Sequence, residues 1–212
     1  MSSETALRER IVEIGLSLVR RGFAHGTSGN ISARLSDGIL LTPTNSSLGN
    51  LSAESLSKVS LSGAHVSGDP PSKEAPLHLA VYRSREGDNA VVHLHSTHAV
   101  AVSCLAGLDP DNVFPPITPY SRMRLGTVKL VPYHRPGDPA VADAIARAAP
   151  RHHVLLLANH GSVVAAPSLD DGLYVSDELE ETARLYLMLR HEKRNDLSPA
   201  AVEELDRHFP RK

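Results

Sequence analysis

Two histidines, His93 and His95, interrupt the apolar run Val91-Val92-His93-Leu94-His95-Ser96. An extended strand alternates faces with period two, so both imidazoles project the same way. Polar rings in a valine-rich strand are costly without partners, and a shared metal ion is a partner that paired imidazoles suit. A second apolar run, Val154-Leu155-Leu156-Leu157-Ala158, ends in Asn159-His160-Gly161. Two strand ends can thus bring three imidazoles to one point, a donor set that fits Zn2+ with one position left for substrate. Alone, His160 reads equally as a packing residue. The pair upstream, and a following glycine that lets backbone approach closely, draw it toward the site.

Glu74, in Pro71-Ser72-Lys73-Glu74, falls in the first turn of an expected helix. By itself it is an acid at the positive end of the helix dipole. Beside three imidazoles it becomes a fourth ligand or a proton acceptor. His78, four residues on, shares its helix face and reads as a face residue or a support for the site. The turns at 25–30 and 42–47 are rich in small and hydroxyl residues, and turns of this kind can cradle a phosphate with backbone N–H groups. Neither has the spacing of a Walker loop or of GxGxxG. A helix N-terminus after Ser72 would add an anion-attracting end. Tyr120 carries a hydroxyl able to donate a proton, or a ring that packs at an interface. Cys104, in Ala101-Val102-Ser103-Cys104-Leu105, reads as a small buried packing residue.

These residues need elements to position them. Leu7, Ile11, Ile14 and Leu18 recur at helical spacing, which predicts a helix over 4–21 stopped by Gly22. Strands follow at 30–35 and 38–42 around the hairpin signal Asp37-Gly38. A short helix is expected at 52–57 and a small hairpin at 59–66. Ser72 is the expected N-cap of a helix over 73–83. Strands are expected at 90–95, 128–131, 154–158 and 162–166, and helices at 97–105, 139–149, 169–191 and 198–209. The prolines between 109 and 120 predict an exposed loop. Alternating strands and helices, with several tight turns between strands, fit a mixed sheet covered on both faces.

At 212 residues with a net charge of −2, the chain is expected to form one domain, 1–212, with a sizeable core. That charge gives no basis for general nucleic-acid binding or for a basic membrane surface. One cysteine excludes an intrachain disulfide and a multi-cysteine zinc site. No apolar signal core or membrane-length run occurs, so a cytoplasmic enzyme is expected.

In order along the chain, Gly29-Asn30-Ile31-Ser32, Thr42-Pro43-Thr44, Pro71-Ser72-x-Glu74, His93-x-His95 and Asn159-His160-Gly161 resemble the class II aldolase/adducin family. The resemblance runs from the first helix to about His191. Within the family, Pro71 to Glu74, Val92 to Ser96, Thr118-Pro119-Tyr120 and Val131 to Tyr133 with Pro136-Gly137 look most like the decarboxylases of 3-oxo-tetronate 4-phosphates. The resemblance implies a three-layer α/β/α fold with a central, mainly antiparallel sheet. It implies a fourfold homotetramer with active sites at subunit interfaces. It also implies one Zn2+ per subunit on His93, His95 and His160, where Mn2+ or Co2+ would fit the same donors. Glu74 would transfer protons and bind the metal when substrate is absent. Gly29, Asn30, Thr44 and Ser72 would hold the substrate phosphate, and Tyr120 would serve a neighbouring subunit's site.

Lys73 departs from the sugar-phosphate aldolases, which commonly carry serine there. Its point charge suits a substrate bearing a carboxylate as well as a phosphate. The implied reaction is metal-dependent decarboxylation through an enediolate, giving dihydroxyacetone phosphate and CO2. The alternative is a fuculose-phosphate type aldolase or a pentulose-phosphate epimerase with the same metal site. A cupin-like dioxygenase fits less well, because Glu74 precedes the histidine pair by nineteen positions, whereas the cupin glutamate follows its pair closely. A non-enzymatic module of the adducin type has no need of the ligands retained here.

Overall fold

The strand-forming stretches assemble into one sheet, and the helices between them are amphipathic enough to cover both of its faces. The structure, a computed structural model, describes residues 3–210. The strands are β1 (Asn30–Arg34), β2 (Gly38–Leu41), β3 (Ser57–Ser60), β4 (His65–Ser67), β5 (Ala90–Leu94), β6 (Lys129–Val131), β7 (Val154–Leu157) and β8 (Gly161–Ala166). Their order across the sheet is β4-β3-β2-β1-β5-β8-β7-β6. Every neighbouring pair is antiparallel except β6 and β7. The helices are α1 (Glu4–Arg20), α2 (Ala75–Ser84), α3 (Thr97–Ser103), α4 (Pro119–Leu125), α5 (Pro139–Ala148), α6 (Leu169–Leu189) and α7 (Pro199–His208). The expected α/β/α architecture with a mainly antiparallel sheet is the one observed.

Strand alternation divides the core in two. Ile31, Leu40, Val92, Leu156 and Val164 face Ile11, Ile14 and Leu18 of α1, Ala99 and Val102 of α3, and Leu173 and Leu179 of α6. Ile39, Leu41, Val91, Leu155 and Val163 face Leu77 and Val81 of α2 and Ile145 of α5. His93 has the same parity as Val91, so it faces α2. Asn30, Ser32 and Arg34 alternate with Ile31 and Ala33 and face α2 as well. The Arg34 guanidinium lies over the Tyr82 ring, 4.7 Å from its centroid. It donates to the carbonyls of Tyr82 (2.8 Å), Arg85 (3.0 Å) and Asp88 (2.9 Å) at the C-terminal end of α2.

Four expectations are corrected. No helix forms at 52–57; a 3-10 turn occupies Leu48–Asn50 instead, and β3 begins at Ser57. Ser52 and Ser55 exchange side-chain and backbone bonds, and the carbonyls of Ala53 and Leu56 are taken by Arg8. Local serine bonds thus compete with the helical pattern. The N-cap position of the second helix is Glu74, whose side chain makes no capping bond, rather than Ser72. Starting at Ala75 puts Pro76 where no intrahelical N–H is required, whereas a start at 73 would leave a missing donor in the ladder. The 109–120 segment is not all loop, because α4 starts at Pro119, with Thr118 accepting from the Ser121 N–H. Cys104 is exposed rather than buried. It is the C-cap residue of the short α3, past the face that buries Ala99 and Val102.

Candidate metal centre

His93 is fixed before any ligand is considered. Its Nδ1–H donates to the Ser162 carbonyl at 2.7 Å, so Nε2 is the nitrogen left to face the site. His95 lies one residue past the end of β5 and returns its ring to the same side. The Nε2 atoms of His93 and His95 are 2.9 Å apart. His160 arrives from the turn between β7 and β8, where Asn159 takes a positive φ of 56° and His160 N–H closes on the Leu157 carbonyl. Gly161 permits this crossing, since a Cβ there would lie 2.3 Å from the Leu94 carbonyl oxygen. The three rings stand edge to face, with centroids 4.7 to 5.0 Å apart.

Glu74 enters from the N-terminal end of α2. Its Oε2 is 3.3 Å from His93 Nε2 and its Oε1 is 3.3 Å from His160 Nε2. One ligand atom from each of Glu74, His93, His95 and His160 lies within 4.8 Å of the others. Tetrahedral Zn–N bonds of about 2.0–2.1 Å separate their nitrogens by about 3.3 Å. The donor set therefore fits a divalent cation in spacing as well as in chemistry. Burial opposes charge on Glu74, but the positive charge on His93 and bonds from His160, His93 and Asn30 hold its carboxyl far below the usual carboxylate range. Burial, with His93 and His160 as neighbouring charges, pushes His95 down to about 3, which keeps its lone pair free.

The segments expected to hold phosphate meet beside this cluster. Asn30 pairs with His93 across β1 and β5. Gly29 (φ 81°) runs so close to that strand that a Cβ would sit 2.9 Å from the His93 carbonyl oxygen. A bridge between Pro43 and Pro71 joins the segments of Thr44 and Ser72, and Thr44 N–H donates to the Pro70 carbonyl at 2.9 Å. The Asn30 amide donates to Glu74 Oε2 at 2.7 Å and approaches Ser72 Oγ at 3.4 Å. Lys73 is exposed and lines a cavity of about 70 Å3 with Glu74, His160, His134 and Arg135. Tyr120 lies on α4, 62% exposed, and is not part of the four-residue cluster.

Sequence reasoning gave no role to His134, Arg135 or the Ser162 carbonyl, which no local motif marks. The sequence reads Asn30 as a phosphate contact and His78 as a face residue or a support, and assigns nothing to Ser32 or Tyr82, whereas these four form one hydrogen-bonded row behind Glu74. Their signal was present: Glu74, His78 and Tyr82 recur every four residues on one helix stripe, and Asn30 and Ser32 recur every two on one strand face.

The chain belongs to the class II aldolase/adducin family, since the model of the class II aldolase and adducin N-terminal domain matches residues 9–187. A 3-oxo-tetronate 4-phosphate decarboxylase of Pectobacterium atrosepticum is 48% identical over 206 residues, 97% of this chain and 94% of the relative. The crystal structure of YgbL from Klebsiella pneumoniae superimposes with a TM-score of 0.95 at 48% identity, covering 97% of this chain and all of that one (100%). An L-fuculose phosphate aldolase of Haemophilus influenzae is more distant, 34% identical over 86% of this chain and 83% of its own length. No described helix is long and apolar enough to cross a membrane.

Proposed function

We propose that this chain is a metal-dependent carbon–carbon lyase that decarboxylates a 3-oxo-tetronate 4-phosphate to dihydroxyacetone phosphate and CO2. The observation that carries this reading is the convergence of Glu74, His93, His95 and His160 within 4.8 Å. The decarboxylase at 48% identity against the aldolase at 34% favours loss of CO2 over aldol cleavage. In this reading His93, His95 and His160 hold one Zn2+, with Glu74 as the fourth donor before substrate enters. When bound, the cation supplies a Lewis acid that lowers the cost of negative charge on substrate oxygens.

A 3-oxo acid carries its own electron sink. The C1–C2 bond breaks, its electron pair passes into the C3 carbonyl, and an enediolate remains on C2 and C3. Glu74 takes and returns the C2 hydroxyl proton, and Tyr120 of a neighbouring subunit or water protonates C2. The Asn30 amide is committed to Glu74, so the phosphate contact falls on the hydroxyls of Ser72 and Thr44 and on the Gly29–Asn30 backbone. Lys73 adds a cation beside the carboxyl end of the substrate. A cytoplasmic homotetramer with active sites between subunits completes the reading, and exposed Tyr120 is free to reach such an interface.

The test is CO2 release from the phosphorylated 3-oxo acid with and without a chelator. Release that the chelator abolishes and Zn2+ restores is expected. Cleavage of fuculose phosphate without CO2 release from the acid would replace this reading with the aldolase.

A further inference from the structure

Behind Glu74 a row of buried polar side chains crosses from β1 to α2. Ser32 Oγ is 2.7 Å from His78 Nδ1 and 2.8 Å from the Tyr82 hydroxyl. His78 Nε2 contacts Asn30 Oδ1, and Asn30 Nδ2 reaches Glu74 Oε2 at 2.7 Å. His78, Ser32, Tyr82 and Asn30 are all buried, each at most 5% exposed.

Each bond in this row has one allowed direction. A carboxylate only accepts, so Asn30 must present its NH2 to Glu74. Asn30 Oδ1 therefore faces His78 and accepts from Nε2–H. A neutral imidazole has a single N–H, so Nδ1 accepts from the Ser32 hydroxyl, and Ser32 accepts from Tyr82. Burial pushes His78 down to about 3, in keeping with the neutral ring.

We propose that His78 is a positioning residue for Glu74: by accepting from Ser32 and donating to Asn30, it locks the Asn30 amide with its NH2 toward the carboxylate. Oε2 is thereby tethered, and Oε1 is the oxygen left to exchange the substrate proton. Without His78 the amide can turn over and set its carbonyl against the carboxylate, which swings away. This rests on the reading of Glu74 as the proton-transfer residue.

The test compares zinc-loaded native protein with His78→Leu, Asn30→Ala and the double variant. His78→Leu should lower kcat about 10- to 100-fold, with KM and metal stoichiometry little changed. In the Asn30→Ala background, His78→Leu should lower kcat by less than about twofold, because the group it acts through is gone. Multiplicative losses, or an unchanged kcat in metal-loaded His78→Leu, overturn the proposal. Should that variant not fold, 15N NMR of the native holoprotein decides: a proton on Nε2 of His78 is expected, and one on Nδ1 is fatal. Native protein that releases no CO2 from the phosphorylated 3-oxo acid sinks the functional reading instead, while the tautomer still tests the network.

Discussion

At the scale of single residues, Glu74 and His93 make separable predictions. Glu74→Gln keeps a donor oxygen but cannot take a proton. It should retain metal while turnover falls by about 10²- to 10⁴-fold; unchanged turnover would remove Glu74 from proton transfer. His93→Ala deletes a nitrogen whose other face is fixed by the Ser162 carbonyl. Metal and activity should be lost together, and stoichiometric zinc in that variant would exclude His93 as a ligand. His93 and His95 were legible because two imidazoles at period two in a valine run need a common partner to offset their burial. Glu74 was legible only as a companion to them, since acids at helix starts are common. What the sequence hid was direction: nothing in it says that Asn30 turns its amide to Glu74, or that Ser162 fixes the ring of His93.

At the scale of elements, the crossing of the β7–β8 turn over the end of β5 is the contact that closes the site. Gly161→Ala would put a methyl 2.3 Å from the Leu94 carbonyl oxygen and 3.0 Å from the His95 ring. The strands must part, at a cost of about 1–3 kcal/mol. The expected outcome is a lower urea midpoint in the presence of chelator, together with weaker zinc affinity. A variant unchanged in both would show that the turn can relax without disturbing the imidazoles. Strands with unbroken apolar runs were read to within a residue or two. The misreadings fell where side chains compete with backbone patterns. The serines at 52 and 55 dissolve an expected helix, and Thr118-Pro119 start α4 inside a proline-rich stretch whose earlier prolines suggested only loop.

For the whole molecule, buried histidines tie stability to pH. His78 is pushed down to about 3 by burial, so between its ordinary 6.5 and 3 the unfolded chain binds a proton that the folded chain refuses. The share of metal-free stability that depends on this group is therefore full above 6.5 and should fall as pH drops through that window, by up to about 1.4 kcal/mol per pH unit. His95 acts in the same sense, while His93, raised by the Glu74 carboxylate against the effect of burial, opposes it. Urea midpoints between pH 7 and 4, compared with His78→Leu, measure the share: the variant should show the shallower slope, and equal slopes would clear His78. Added zinc should raise the midpoint at neutral pH and lose that effect in acid, because protons compete for the imidazoles.

The clamp of Arg34 on the carbonyls of Tyr82, Arg85 and Asp88 bears on how this scaffold could diversify. Helix α2 is riveted to β1 at both extremities, by Asn30 beside its first turn and by Arg34 at its last. Glu74 is thus registered against the sheet, and the hydrogen bonds and ion pairs that hold it come from Asn30, Ser72, His93 and His160 rather than from the segment carrying His134 and Arg135. That segment can be exchanged or lengthened to admit another acid or aldehyde while Glu74 stays in alignment with the imidazoles. Laboratory reshaping of substrate choice should begin there and leave the β1–α2 seam untouched.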